Sequence, residues 1–74
     1  MDEGLSWRAR LARRNINILN IDDERWYYEF MYHPRQGQTK WCKTYMDCKM
    51  GRNPEAVAQE LEREVGTLRK ELEG

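Results

Sequence analysis

The chain has 74 residues, in which 13 Lys and Arg balance 13 Asp and Glu, charged residues make up 35% and apolar residues 39%. That length gives one domain with a small core, since such a chain buries only roughly 60% of its unfolded surface. No apolar run approaches the roughly 18–20 residues of a membrane span, and Met1-Asp2-Glu3-Gly4 lacks a secretory apolar stretch, so the sequence reads as a cytoplasmic, nucleoid or nuclear protein and not a secreted one.

Residues 5–14 (LSWRARLARR) carry two patterns at once. Leu5, Trp7, Ala9 and Leu11 alternate with more polar neighbours, as in a strand, yet Leu, Arg and Ala favour helix. Residues 1–15 are therefore expected to be a basic arm or short helix ahead of a domain at 16–74. Residues 16–21 (INILNI) read as a short strand, closed by a turn at Asp22-Asp23. Residues 25–33 (RWYYEFMYH) form the clearest strand, with Trp26, Tyr28, Phe30 and Tyr32 on one face and Tyr27, Glu29, Met31 and His33 on the other. Residues 34–38 (PRQGQ) have the composition of a hairpin loop. Residues 39–50 (TKWCKTYMDCKM) read as the partner strand, ended by Gly51-Arg52. Its even face holds Cys42, Met46, Cys48 and Met50, and its odd face holds Trp41, Lys43, Tyr45 and Asp47.

Asn53-Pro54-Glu55 is a helix start: an amide-capping side chain, a proline suited to the first turn, and an acid at the positive helix end. The helix is predicted to run to about Leu72. Ala58, Leu61, Val65, Leu68 and Leu72 repeat at alternating spacings of three and four, an a/d seam. The seam can face the core, which is the more frequent use, or meet a partner, with Leu61, Val65, Leu68 and Leu72 as the partner-binding residues. The predicted fold is α+β: a three-stranded antiparallel sheet packed by a C-terminal helix, with a basic N-terminal arm or short helix.

Little in the sequence suggests catalysis. One histidine (His33) and one serine (Ser6) assemble no triad, and the five glycines are too scattered for a phosphate-binding loop. Cys42, Cys48 and His33 lack the ligand spacing of a zinc site. In an extended strand the two cysteines lie roughly 20 Å apart, beyond the about 7 Å limit for a disulfide. Neither a catalytic residue nor a metal ligand, cofactor or small-molecule substrate is expected.

Charge is unevenly spread. Residues 1–52 hold ten bases against seven acids, and residues 53–74 three bases against six acids. If the Trp26 face packs on the helix, the other face leaves Tyr27, Met31, His33, Trp41, Lys43 and Tyr45 open. Solvated sheet faces are ordinarily polar, and a mixture of rings and cations suits nucleic acid. The expected contact set is Arg8, Arg10, Arg13, Arg14, Arg35, Lys40 and Lys43 on phosphates, Trp41 and Tyr45 packing on the sugar-phosphate wall or on bases, and Tyr27 beside them. Glu62, Glu64 and Glu71 would keep the helix off the nucleic acid and free for a partner.

Residues 24–40 (ERWYYEFMYHPRQGQTK) resemble the N-terminal arm-binding domains of phage and transposon tyrosine recombinases. Those domains show an aromatic strand, a Pro-Arg-x-Gly-type turn, a basic strand and a C-terminal helix, an arrangement that residues 16–72 would cover. The resemblance implies a sheet that enters the DNA major groove with the helix behind it, and it places Tyr27, Glu29, Met31, Arg35, Lys40, Trp41 and Lys43 near DNA. The recombinase catalytic core has no counterpart here, and Tyr27 and Met31 lack the paired donors of a base reader. The leading expectation is thus a non-catalytic nucleic-acid-binding module, with double-stranded DNA favoured. The alternative is a protein-interaction adaptor or inhibitor that uses the aromatic sheet face and the acidic helix, with a homo-oligomer or helical partner contacting residues 58–72.

Overall fold

The computed structural model describes residues 6–48 and 53–74. Its elements are α1 (Trp7–Arg13), β1 (Ile16–Ile21), β2 (Arg25–Tyr32), β3 (Lys40–Asp47) and α2 (Pro54–Glu73). The three strands form an antiparallel sheet in the order β1-β2-β3, and both helices pack on one face of it. The predicted α+β architecture is therefore present. The strand predicted over 39–50 is described over Lys40–Asp47; Lys49 and Met50 at its predicted end, the break assigned to Gly51-Arg52, and Leu5 lie outside the described residues.

The ambiguous segment 5–14 resolves as helix from Trp7 onward. Ser6 caps it, its Oγ accepting from the Ala9 amide at 3.2 Å. Trp7 and Leu11 are four residues apart and so lie on one side of the helix. Leu11 is fully buried, and the Trp7 ring sits 4.8 Å from the Trp26 ring. These two residues join α1 to the same core as the sheet, so α1 is part of the domain that was expected to begin at residue 16. Asn15 then turns the chain with φ 61°, a left-handed conformation that asparagine tolerates. Its carbonyl accepts from the Met31 amide at 3.1 Å, which sets the start of β1 against the end of β2.

Between β1 and β2, one carboxylate oxygen of Asp22 accepts from the amides of Glu24 (2.9 Å) and Arg25 (2.7 Å). These two bonds, the Glu24 one first, hold the Asp22 carboxyl below its usual pKa. In the β2–β3 loop Gly37 takes φ 109°, where a side chain would be strained.

The core consists of Leu11, Ile16, Trp26, Tyr28, Phe30, Val57, Ala58, Leu61 and Val65. The even-numbered face of β2 thus packs on the helices, as the alternation predicts. Asn53 caps α2 through its Oδ1, which accepts from the Glu55 amide at 2.9 Å. The α2 seam faces the sheet. Leu61 and Val65 are completely enclosed, so the assignment of these two as partner-binding residues is corrected, and Leu68 is partly buried against the same cluster. Of the four, only Leu72 is an exposed large apolar residue, at 40%. Cys42 and Cys48 form no disulfide with each other and pack partly against the core.

Arg69 ties three elements together. Its Nε donates to the Met31 carbonyl at 2.8 Å, one terminal nitrogen donates to the Arg14 carbonyl at 2.7 Å, and the guanidinium lies 5.8 Å from the Phe30 ring centre. Nearby, the His33 amide donates to a Glu73 carboxylate oxygen at 2.8 Å.

Candidate nucleic-acid interface

The sheet face away from the helices is built in rows by the strand register. Arg25 stands opposite Asp47, Tyr27 opposite Tyr45, Glu29 opposite Lys43, and Met31 opposite Trp41. On the other side of β2, Asn17 stands opposite Glu29 and Asn20 opposite Tyr27. Asn20 reaches this face through an irregularity between Ile18 and Asn20. Simple alternation would put Asn20 on the same side as Ile18, which packs toward the core. The extra residue, Leu19, is 51% exposed.

The face is a mosaic of rings and polar groups. Trp41 and Tyr45 are 47% and 49% exposed. Tyr27 and Tyr45 have ring centres 6.0 Å apart, and the Arg25 guanidinium lies 4.7 Å from the Tyr45 centre. Arg25 also bonds Asp47 at 3.2 Å. The Tyr27 hydroxyl first, and Asp47 second, hold the Arg25 pKa above the ordinary arginine value. Asn17 donates to Glu29 at 3.2 Å, with Lys43 across the strand from the same carboxylate. Among the described residues, two cations, Arg25 and Lys43, thus share the face with two anions, Glu29 and Asp47.

The expected cation set does not converge on this face. Of the seven, only Lys43 lies there. Lys40 stands opposite Tyr32, in the alternation that faces the helices, so its placement with Lys43 is corrected. Arg35 belongs to the loop between β2 and β3. The four arginines of residues 8–14 belong to α1 and the turn after it, behind the sheet. Arg8 lies 4.7 Å from the Trp7 ring centre. Arg10 and Arg14 pair with Glu62 at 3.7 and 2.9 Å, and together with Arg13 they line a shallow cavity of about 320 Å³. Glu62 is therefore bound to α1 instead of being a free acidic flank. His33, expected on the open face, lies beyond the end of β2 with its Nδ1 2.9 Å from the Thr39 hydroxyl.

Three face residues escaped the sequence reading: Asn17, Asn20 and Arg25. Asn17 and Arg25 were legible, since both follow the alternation of Tyr27 and Glu29 through antiparallel pairing. Asn20 was not, because only the irregularity places it there. Among the described residues no cluster of His, Cys, Asp and Glu could hold a metal ion, and no helix is long and apolar enough to cross a membrane. Comparison with protein-family models, with curated proteins and with solved structures finds no match in any of the three.

Proposed function

We propose that this chain is a non-catalytic nucleic-acid-binding module that works through the open sheet face, with ring stacking and amide or guanidinium contacts dominating over phosphate neutralisation. The observation that carries the reading is the sharing of one face by half-exposed Trp41 and Tyr45 and by the donors of Asn17, Asn20, Arg25 and Lys43. Stacking contributes roughly 1–3 kcal/mol per base and is insensitive to the acids nearby. Asparagine and arginine are the side chains that pair doubly with adenine and guanine edges. Because this face is electrically balanced, a strand with unstacked bases suits it better than a duplex, whose binding leans on phosphates.

The test is fluorescence anisotropy with a labelled mixed-sequence single strand and the matching duplex. Two cations predict an affinity that falls by only roughly tenfold between about 50 and about 200 mM salt. Trp41→Ala and Tyr45→Ala should each weaken binding by roughly tenfold or more. Replacing Arg10 and Arg14 with glutamine should leave binding nearly unchanged. A steep salt dependence, with loss on the arginine replacement and none on the ring replacements, would move the site to α1. Tighter duplex binding through the same rings would restore the duplex expectation.

A second reading, a protein-binding face, is favoured by the internal pairing of Arg25 with Asp47 and Asn17 with Glu29. Tyr, Trp, Met and Arg are the residues enriched at the centres of protein interfaces. The absence of binding to either nucleic acid at micromolar protein would leave this as the working hypothesis.

A further inference from the structure

We propose that two copies of this chain pair through the outer edges of β3, forming a six-stranded sheet across a two-fold axis at Thr44. The argument starts from the backbone. The Cys48 amide donates to the Glu24 carbonyl at 2.7 Å, continuing the register in which Arg25 pairs with Asp47. In an antiparallel ladder, paired residues alternate between bonding each other and pointing their amides and carbonyls away. The even-numbered residues of β3 therefore bond β2, and Trp41, Lys43, Tyr45 and Asp47 direct theirs outward. The opposite ladder agrees: Met31 donates to Asn15, and Asp22 donates to Arg25, so the odd residues of β2 bond toward β1. Among the described residues no strand covers the outer edge of β3. This edge is eight residues long and regular, whereas the other edge strand, β1, is interrupted at Leu19. An uninterrupted edge of this kind is a template for another strand.

The side chains say which strand fits. A second β3 laid antiparallel about Thr44 sets Lys43 opposite Tyr45 of the other copy, Trp41 opposite Asp47, Cys42 opposite Met46, and Thr44 opposite itself. No like charges meet. Lys43 gains an aromatic neighbour on the open face, and the partly buried Cys42 and Met46 are covered on the helix side. Moving the axis one residue, to Lys43, would set the two Lys43 side chains against each other, a destabilising arrangement. Lysine commonly guards edges against pairing, and here it disfavours the register centred on Lys43 itself. The four outward residues of each copy form the hydrogen-bonded pairs, two bonds to a pair, while Thr44 faces its copy in a non-bonded pair with Cα atoms about 4.5 Å apart. The resulting sheet joins the two open faces into one surface. The proposal rests on the edge and not on any ligand of that surface.

Three readouts test it on the full chain. Sedimentation from micromolar to millimolar protein should show a monomer–dimer equilibrium. Hydrogen exchange by NMR should show the Lys43 and Tyr45 amides gaining protection as concentration rises, while Thr44 and Met46 stay protected throughout. In a background with Cys42→Ser and Cys48→Ser, Thr44→Cys should form a covalent dimer on mild oxidation, because a non-bonded cross-strand pair lies within disulfide range. Lys43→Cys in the same background should do so poorly. Tyr45→Lys, which sets lysine against Lys43 in both halves, should dissociate the dimer, and adding Lys43→Glu should restore it. A chain that stays monomeric at millimolar concentration, with unprotected Lys43 and Tyr45 amides, overturns the proposal. So does a dimer that leaves those amides exchanging freely. Cross-linking through Lys43→Cys in preference to Thr44→Cys overturns the register.

Discussion

The Tyr28 hydroxyl is buried and finds no hydrogen-bond partner among the described residues. An unsatisfied hydroxyl in a core costs about 1–3 kcal/mol, so its removal should help the fold. Burial first, and then the nearby Glu64 carboxylate, push its pKa up to about 12. The folded state thus holds the proton more tightly than the unfolded chain, whose tyrosine titrates at about 10. The associated stability is fully present below that pH and is lost as pH rises toward 12. Tyr28→Phe should keep or raise the melting temperature at neutral pH. It should also flatten the decline of stability between about pH 10 and 12, a difference of roughly 2–3 kcal/mol at the alkaline end. Parallel thermal melts of the two proteins across that range would check both parts. A neutral-pH loss of several degrees would mean that the hydroxyl has a partner in solution.

At the scale of elements, α1, β2 and α2 meet at the guanidinium of Arg69. The carbonyls of Met31 and Arg14 both lose their donor if it is removed. Arg69→Met keeps most of the apolar stem over Phe30 and removes both bonds. The expected loss is about 2–3 kcal/mol, since hydrogen bonds to charged groups contribute about 1.5–3 kcal/mol and the carbonyls at these element ends can partly rehydrate. Urea titration should show a lower midpoint with an unchanged slope. Arg69→Lys should recover only part of the loss, because an ammonium lacks the planar fork that reaches two carbonyls. Equal stability of wild type and Arg69→Met would remove this role.

Elements were legible in the sequence where one pattern prevailed. The alternation of residues 25–32 and the Asn53-Pro54-Glu55 start had a single reading, and each became the predicted element. Residues 5–14 did not, because Trp7, Ala9 and Leu11 satisfy a two-residue period while Trp7 and Leu11 also satisfy the helical four-residue spacing. The buried contact of Leu11 with the core decided between them. The a/d seam of α2 was likewise visible, and Leu61 and Val65 fill the core because a sheet lies beneath them. The role of Arg69 depends on where chain segments 38 and 55 residues away arrive, which no local pattern states.

At the scale of the molecule, the two charge halves of the chain fold against one another. The arginine-rich α1 and the acidic α2 lie side by side on one sheet face, and Glu62 takes up Arg10 and Arg14. The basic body suggested by the linear sequence is thereby divided between two surfaces, and this division directs the functional reading to rings and amides. The same packing puts α1 into the core. Leu11 is fully enclosed with Ile16, Val57 and Leu61, so Leu11→Ala opens a cavity where both helices meet the sheet. Such a truncation costs about 2–5 kcal/mol. A single core of this size supplies only roughly 3–5 kcal/mol of net stability. The variant should be largely unfolded at 37 °C, with lost near-ultraviolet circular dichroism from the packed Trp7–Trp26 pair. Leu11→Met, which keeps the volume, should remain folded. If Leu11→Ala instead melts within a few degrees of wild type, α1 is a detachable arm, and its arginines become available to the ligand of the sheet.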